Sequence, residues 1–455
     1  MIDKHWLSQP PQGKEAKGLF AVLGWGAYLG TSWTWVIGMI LPALLIRDMG
    51  IAGFFIFALP NCIGAAAMGS ILKGKVARSL PSRHMGMIMT FSIVTVAYHF
   101  YIAGYLLPHL LGSLSLMIFS FVGLCAAGVM MKWRDKGALW FSLAAWFISI
   151  SCFITALCIP EASTFEIFNE TPLLDSSYTW FFLPASVGGF LLCPYLDATF
   201  IRARARTEKV SGILVFKIGF LIFFASMIVF TTAYGHKLLD SFGGDNSRLT
   251  GVWATILLIH IPLQMGLTVA YHCREIYSAV QYGVKEREKK IKENDCKQCK
   301  VLTKNLLFSG WIGMVVTCSL LFLGVFLLGL LLKNISFEWF RAFKHTHEIE
   351  SLYEAYELKR FISVGEVGYR CLLIFYGTLF PAYVMLMMIP TLSPAKLSKP
   401  WKLFSITVIL SSITAYLGFV HDQGWAIATT LGIICLARLL VEWKALKANK
   451  LSNKG

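Results

Sequence analysis

Charge is scarce in this chain: only 15% of its 455 residues are charged, against 56% hydrophobic, whereas a soluble domain is nearer one quarter charged. Water is therefore not its main solvent. No Walker sequence, nucleophile elbow or helical HExxH pattern is present, so nothing supports hydrolytic powering within the chain. The eleven cysteines fall in apolar runs or in the pair Cys296/Cys299, and none lies in a segment assigned below to the outside. No disulfide framework is implied. Cys296-Lys297-Gln298-Cys299 has the spacing of half a zinc site, but no second ligand pair is near it in sequence, and His345 and His347 fall on the opposite side. No metal and no cofactor is expected.

What the chain has in abundance is apolar runs long enough to span a bilayer, which takes about 20 residues per helix. They begin near Gly18, Ile51, Gly86, Ser113, Ala138, Thr179, Val210, Thr250, Asn305, Glu366, Trp401 and Gln423. The pattern predicts an all-α polytopic membrane protein with about twelve transmembrane helices in a single domain over 1–455. The first run reaches Ile46, too long for the apolar core of a signal peptide, and is expected to stay as a span.

The formal charge of +16 raises the question of nucleic acid. Its position answers it. With residues 1–17 inside, roughly 31 of the 41 basic residues lie in inside segments and roughly 8 outside, which puts both termini in the cytoplasm, of a plasma or inner membrane. The basic run Lys285 to Lys304 then faces anionic lipid headgroups, and nucleic acid is not an expected partner. Outside, Lys333 to Gly365 mixes charges with Trp339, Phe340, Tyr353 and Tyr356 and reads as an amphipathic cap or lid. Oligomeric state cannot be read from these features.

A polar or Gly-rich break at mid-membrane is tolerated only where it faces protein or a water-filled cavity. Two spans have one: Gly30-Thr31-Ser32 in the first, and Ser186-Val187-Gly188-Gly189 in the sixth. Alone, either could be a packing feature. Paired in two spans of opposite direction, they point to a midplane substrate site. The eighth span carries His260, Gln264, Thr268 and His272 at steps of four, one winding polar stripe that should face the interior, either as substrate groups or as interhelical hydrogen bonds. Tyr98 and His99 sit at the centre of the third span, where a lone buried His can equally be a packing residue. Asp197 ends the sixth span ahead of Arg202, Arg204 and Arg206; it reads as a gate paired with Arg202, a site for a coupling proton, or a simple helix-end pair.

The stretches Gly30-Thr31-Ser32-Trp33-Thr34-Trp35 and Phe57-Ala58-Leu59-Pro60-Asn61-Cys62-Ile63-Gly64-Ala65 resemble the first two core helices of sodium:solute symporters and their relatives in the amino acid/polyamine/organocation superfamily. Cys193-Pro194-Tyr195-Leu196-Asp197 and the residues through Arg206 look like that family's segment after its second broken helix, with Ile201 in place of the family's Gln; the family's usual extra N-terminal helix is not seen. The resemblance covers roughly the first 220 residues. It implies a leucine-transporter-like fold with a five-plus-five inverted repeat (18–160 and 179–391), discontinuous helices one and six, two further helices over 401–443, and coupling to Na+ or H+. It also implies an ion site at Thr268, with backbone carbonyls from Tyr28 to Thr31.

Together these features favour a secondary transporter for a small polar or zwitterionic solute. The alternatives are a membrane-embedded enzyme acting on lipid or glycan through His99, His260 and Asp197, and a non-transporting sensor on a transporter fold. Polar groups at mid-depth rather than at an interface favour transport.

Overall fold

The computed structural model describes residues 18–34, 36–207, 209–242, 249–293, 364–389 and 400–452. The run expected near Asn305, the Cys296/Cys299 pair, most of the Lys333–Gly365 segment and the second half of the Lys285–Lys304 run lie outside those residues. Among the described residues every regular element is a helix.

The spans begin within a few residues of where the apolar runs do. Among the described residues, eight helices are long and apolar enough to cross a membrane: Ile51–Ile71, Arg83–Pro108, Trp133–Cys158, Ser211–Leu239, Gly251–Val280, Glu366–Met388, Trp401–Phe419 and Gly424–Trp443. Leu114–Met130 is a shorter apolar helix in the place of the fourth span. Spans one and six are bent pairs, Leu19–Trp33 with Val36–Met49 at 57° and Ser176–Tyr195 with Ala198–Arg206 at 55°. Phe121, Phe147, Ile409, Ile413 and Leu436 point outward and exposed, an arrangement that water would penalise and lipid tails do not. The protein is an integral membrane protein.

The connections between several spans touch each other. Gly50 turns the chain between spans one and two with φ of +62°, and Gly53 follows so close to the Leu45 carbonyl that a Cβ would lie 1.9 Å from its oxygen. The Leu173 and Leu174 amides, just ahead of span six, donate to the Arg47 and Asp48 carbonyls at that turn. The Leu249 amide ahead of span eight donates to Leu110 at the end of span three. Arg47, Leu110, Leu173 and Leu249 therefore belong to one end of the bundle. The other end gathers the turn around Arg134, with φ of +53°, and the exit of span six.

Among the described residues four π-turns interrupt the spans: Pro60–Gly64, Gly219–Phe224, Phe375–Leu379 and Val384–Met388. Such turns often mark functional sites. Three of them pack against the bent spans.

Candidate functional site

The first bend follows Trp33. The Thr34 amide and hydroxyl both donate to the Gly30 carbonyl, at 2.8 and 2.7 Å, which closes the helix and lets the chain turn. Trp33 Nε1 donates to Asn61 Oδ1 at 2.9 Å, and Asn61 is held in turn by its bond to the Phe57 carbonyl inside the π-turn of span two. The second bend follows Leu192. Pro194, which has no amide hydrogen, sits in a tight turn over Cys193–Tyr195; Asp197 then caps the helix Ala198–Arg206 by accepting the Thr199 amide at 2.7 Å.

The two bends meet. The rings of Trp33 and Phe200 approach to 5.0 Å, and Thr199 Oγ1 lies 2.6 Å from Asp197 Oδ1 and 3.1 Å from Ser32 Oγ. Ser32 Oγ donates to the Leu29 carbonyl. Asp197 is fully buried, and its second oxygen, Oδ2, has no hydrogen-bond partner among the described residues. A buried carboxylate oxygen left bare is costly unless a cation or a proton joins it.

Several sequence expectations move by a turn or two. Gly30, Thr31 and Ser32 are helical, and the bend lies just beyond them. Gly30 serves close packing: a Cβ there would sit 2.7 Å from Phe223 Cβ beside the π-turn of span seven. Ser186, Gly188 and Gly189 are likewise inside a helix, with the bend at Cys193–Asp197. Ser186 Oγ donates to the Ile56 carbonyl of span two. Gly189 lets span ten approach, since a Cβ would be 2.8 Å from the Tyr376 carbonyl oxygen, while Gly188 has open space. Gly30 and Gly189 mark contact between helices rather than unwinding.

The polar stripe on span eight faces the interior as expected. Thr268 Oγ1 donates within reach of two carbonyls, Thr31 at 3.1 Å and Gln264 at 3.0 Å, so spans eight and one meet where the ion site is expected. Tyr28 does not join them through its side chain: its hydroxyl accepts from Arg274 Nη2 at 2.9 Å. His260 Nδ1 and Gln264 Nε2 share Ser149 Oγ of span five, at 2.9 and 2.8 Å. His260 Nε2 and Gln264 Oε1 are buried with no partner among the described residues. His272 bonds Ser92 of span three at 3.1 Å. His99 Nδ1 lies 2.7 Å from the Thr95 carbonyl, and Thr95 Oγ1 is 3.3 Å from the Tyr376 hydroxyl. Tyr98 faces Tyr101 and Phe375.

Two ionic networks close the bundle, one at each end. At one, Arg202 grips Glu275 with two bonds of 2.5 and 2.9 Å. Asp135 lies 3.3–3.4 Å from Arg202, Arg206 and Arg274, and Arg274 also reaches Glu275 at 3.0 Å. The expected Asp197–Arg202 pair is thus not formed. At the other end Arg370 touches Asp48, Glu366 and Asp422 at 2.5, 2.7 and 2.6 Å, and Arg47 adds bonds to Asp48 and Glu366. A small cavity lined by Asp48, Tyr178 and Arg370 adjoins this cluster. Glu275, Arg274 and the Arg47–Asp48–Glu366–Arg370–Asp422 cluster do not stand out in the sequence, because charges near span ends are the norm, and Tyr376 is one aromatic among many in apolar spans. Thr199 was findable: Asp, any residue, Thr after a proline turn is a helix-start pattern.

No protein-family model matches the chain, and no curated protein matches it. Among solved structures it is similar to a manganese transporter of Eremococcus coleocola in complex with an aromatic bis-isothiourea substituted compound, at 16% identity and a TM-score of 0.41 over 98% of this chain and 99% of that one. Two single-residue mutants of the same transporter match at 16% identity and a TM-score of 0.39 over 98% of each chain. A likeness this shallow assigns the chain to no family and gives none of its residues a role.

Proposed function

We propose that the protein is a secondary transporter, not an enzyme, that moves a small polar or zwitterionic solute across the plasma or inner membrane in symport with Na+ or H+. The observation that carries this reading is the meeting of two bent spans in the bundle interior, Ser32 of one against Thr199 and Asp197 of the other. Broken backbone at depth leaves groups that a solute can use. In this reading the two five-helix halves, 18–160 and 179–391, are an inverted repeat with the bends at corresponding places. Both termini and the Arg202 network face the cytoplasm, and the basic residues there lie against anionic headgroups.

Thr31 and Thr268 supply the oxygens for a sodium ion if sodium is the coupling ion; the Thr268 hydroxyl then exchanges its hydrogen bond to the Thr31 carbonyl for shared coordination. His99, His260 and Gln264 are the polar groups nearest to hand for a neutral or zwitterionic solute.

The test is uptake by the purified protein in liposomes against a library of amino acids, polyols and amines, with Na+ and H+ gradients imposed separately. One class of solute accumulating under one gradient is the expected result. Absence of gradient-driven accumulation for every class, together with turnover of a lipid or glycan, would replace transport with catalysis.

A further inference from the structure

We propose that Asp197 is the proton-binding group of the coupling cycle, and that Thr199 and Ser32 relay its protonation state from the second bent span to the first. The inference rests on the transport reading for its role, and on hydrogen-bond bookkeeping for its substance.

The Thr199 hydroxyl has one hydrogen and two acceptors in reach, Asp197 Oδ1 at 2.6 Å on its own span and Ser32 Oγ at 3.1 Å on span one. Ser32 cannot donate in return without giving up the Leu29 carbonyl, to which its own hydrogen goes at 3.0 Å. With Asp197 ionised, both the Thr199 amide and its hydroxyl are drawn to Oδ1, because a charged acceptor is the stronger one. The contact between spans is then a lone-pair approach. A proton added to the bare Oδ2 removes the buried charge and weakens Oδ1 as an acceptor. The Thr199 hydrogen is thereby released toward Ser32, and a continuous chain forms from Thr199 to Ser32 to the Leu29 carbonyl, tying one bent span to the other. No bond other than the O–H of the carboxyl forms or breaks; the proton comes from solvent and returns to it.

The surroundings leave the proton as the cation to be taken. The titratable groups about Asp197 are Cys193 on its own span, Tyr376 on span ten and Glu275 on span eight. Glu275 is already held by Arg202 and Arg274. The segment ahead of span three lays Arg78 beside Arg204, span three lays His84 beside Tyr383, and span one brings the Ser32 hydroxyl. No arginine, lysine or histidine forms an ion pair with Asp197 among the described residues.

Infrared titration of the full-length protein in bilayers reads the site directly, and proton-driven uptake reads its use. A protonated-carboxyl band should be present in the protein, vanish as pH rises, be missing in Asp197→Asn, and shift in frequency in Thr199→Val but not in Thr199→Ser. In liposomes Asp197→Asn should lose the dependence of uptake on an imposed proton gradient, and Thr199→Val should weaken it. Should Asp197→Asn not fold, the Thr199 pair carries the same comparison. A carboxyl that stays ionised at every pH the fold survives would overturn the proposal. So would solute accumulation that ignores the proton gradient, which leaves the transport reading standing. A band that titrates as described in a protein that moves no solute under any gradient would uphold the proton site and sink the transport reading.

Discussion

The two ends of the bundle are closed by the same chemistry at different tightness. At the Arg47 end, Arg370 is nearly buried and touches three carboxylates at 2.5–2.7 Å, with side-chain exposures of 1–7% across those four groups. Helices supply all of them except Asp422, which sits in the turn between spans eleven and twelve with φ of +55°. At the Arg202 end, among the described residues, only the Arg202–Glu275 pair has that character, and Asp135 joins at 3.3–3.4 Å with 27% of its side chain exposed. Charge pairs dry and short are strongly coupled to their surroundings, while wet and long ones contribute little. The Arg47 end would therefore have to break as a unit, whereas the Arg202 end would lose its outer partner, Asp135, first.

Variants that break this contrast differ in size. Arg370→Met leaves three buried carboxylates facing one arginine and should cost about 3–5 kcal/mol, seen as a large fall in melting temperature or as failure to accumulate folded protein. Glu275→Gln keeps the shape and removes the charge that Arg202 grips; a loss of about 2–3 kcal/mol is expected, with faster alkylation of the buried thiol of Cys193 as the Arg202 end loosens. Asp135→Asn should cost less than about 1 kcal/mol and leave melting nearly unchanged, yet still raise Cys193 labelling. Equal destabilisation by the Arg370 and Asp135 variants would dissolve the distinction between the ends.

Much of the fold is legible in the sequence because lipid imposes a simple rule. Most described spans are apolar runs of sufficient length, and the starts expected at Ile51, Glu366 and Trp401 coincide with the observed ones. The inward stripe of His260, Gln264, Thr268 and His272 is legible for the same reason, since unpaired polar groups cannot face lipid. The places of the bends are less so. Glycine at Gly30 and Gly189 looks like unwinding but removes a Cβ where another helix passes, and the bends come later, at Thr34 and at Pro194, where a hydroxyl or a missing amide ends the helix. Partner choice is least legible of all. Arg202 has Asp197 five residues away, but takes Glu275 from span eight, 73 residues distant, because Asp197 is already turned to its own helix start. A one-dimensional reading ranks partners by separation, whereas the fold ranks them by where span eight ends.

If the two networks are the gates of a transporter, they must open in turn. Spin labels at Lys75 and Lys136 report on the Arg202 end, and labels at Leu173 and His421 on the Arg47 end, all at exposed positions. Distances measured in bilayers, with and without a transported solute and across an imposed pH change, should move oppositely at the two ends: one pair lengthens as the other keeps or recovers its closed separation. Distances that stay fixed at both ends under every condition, or lengthen together, would contradict the account.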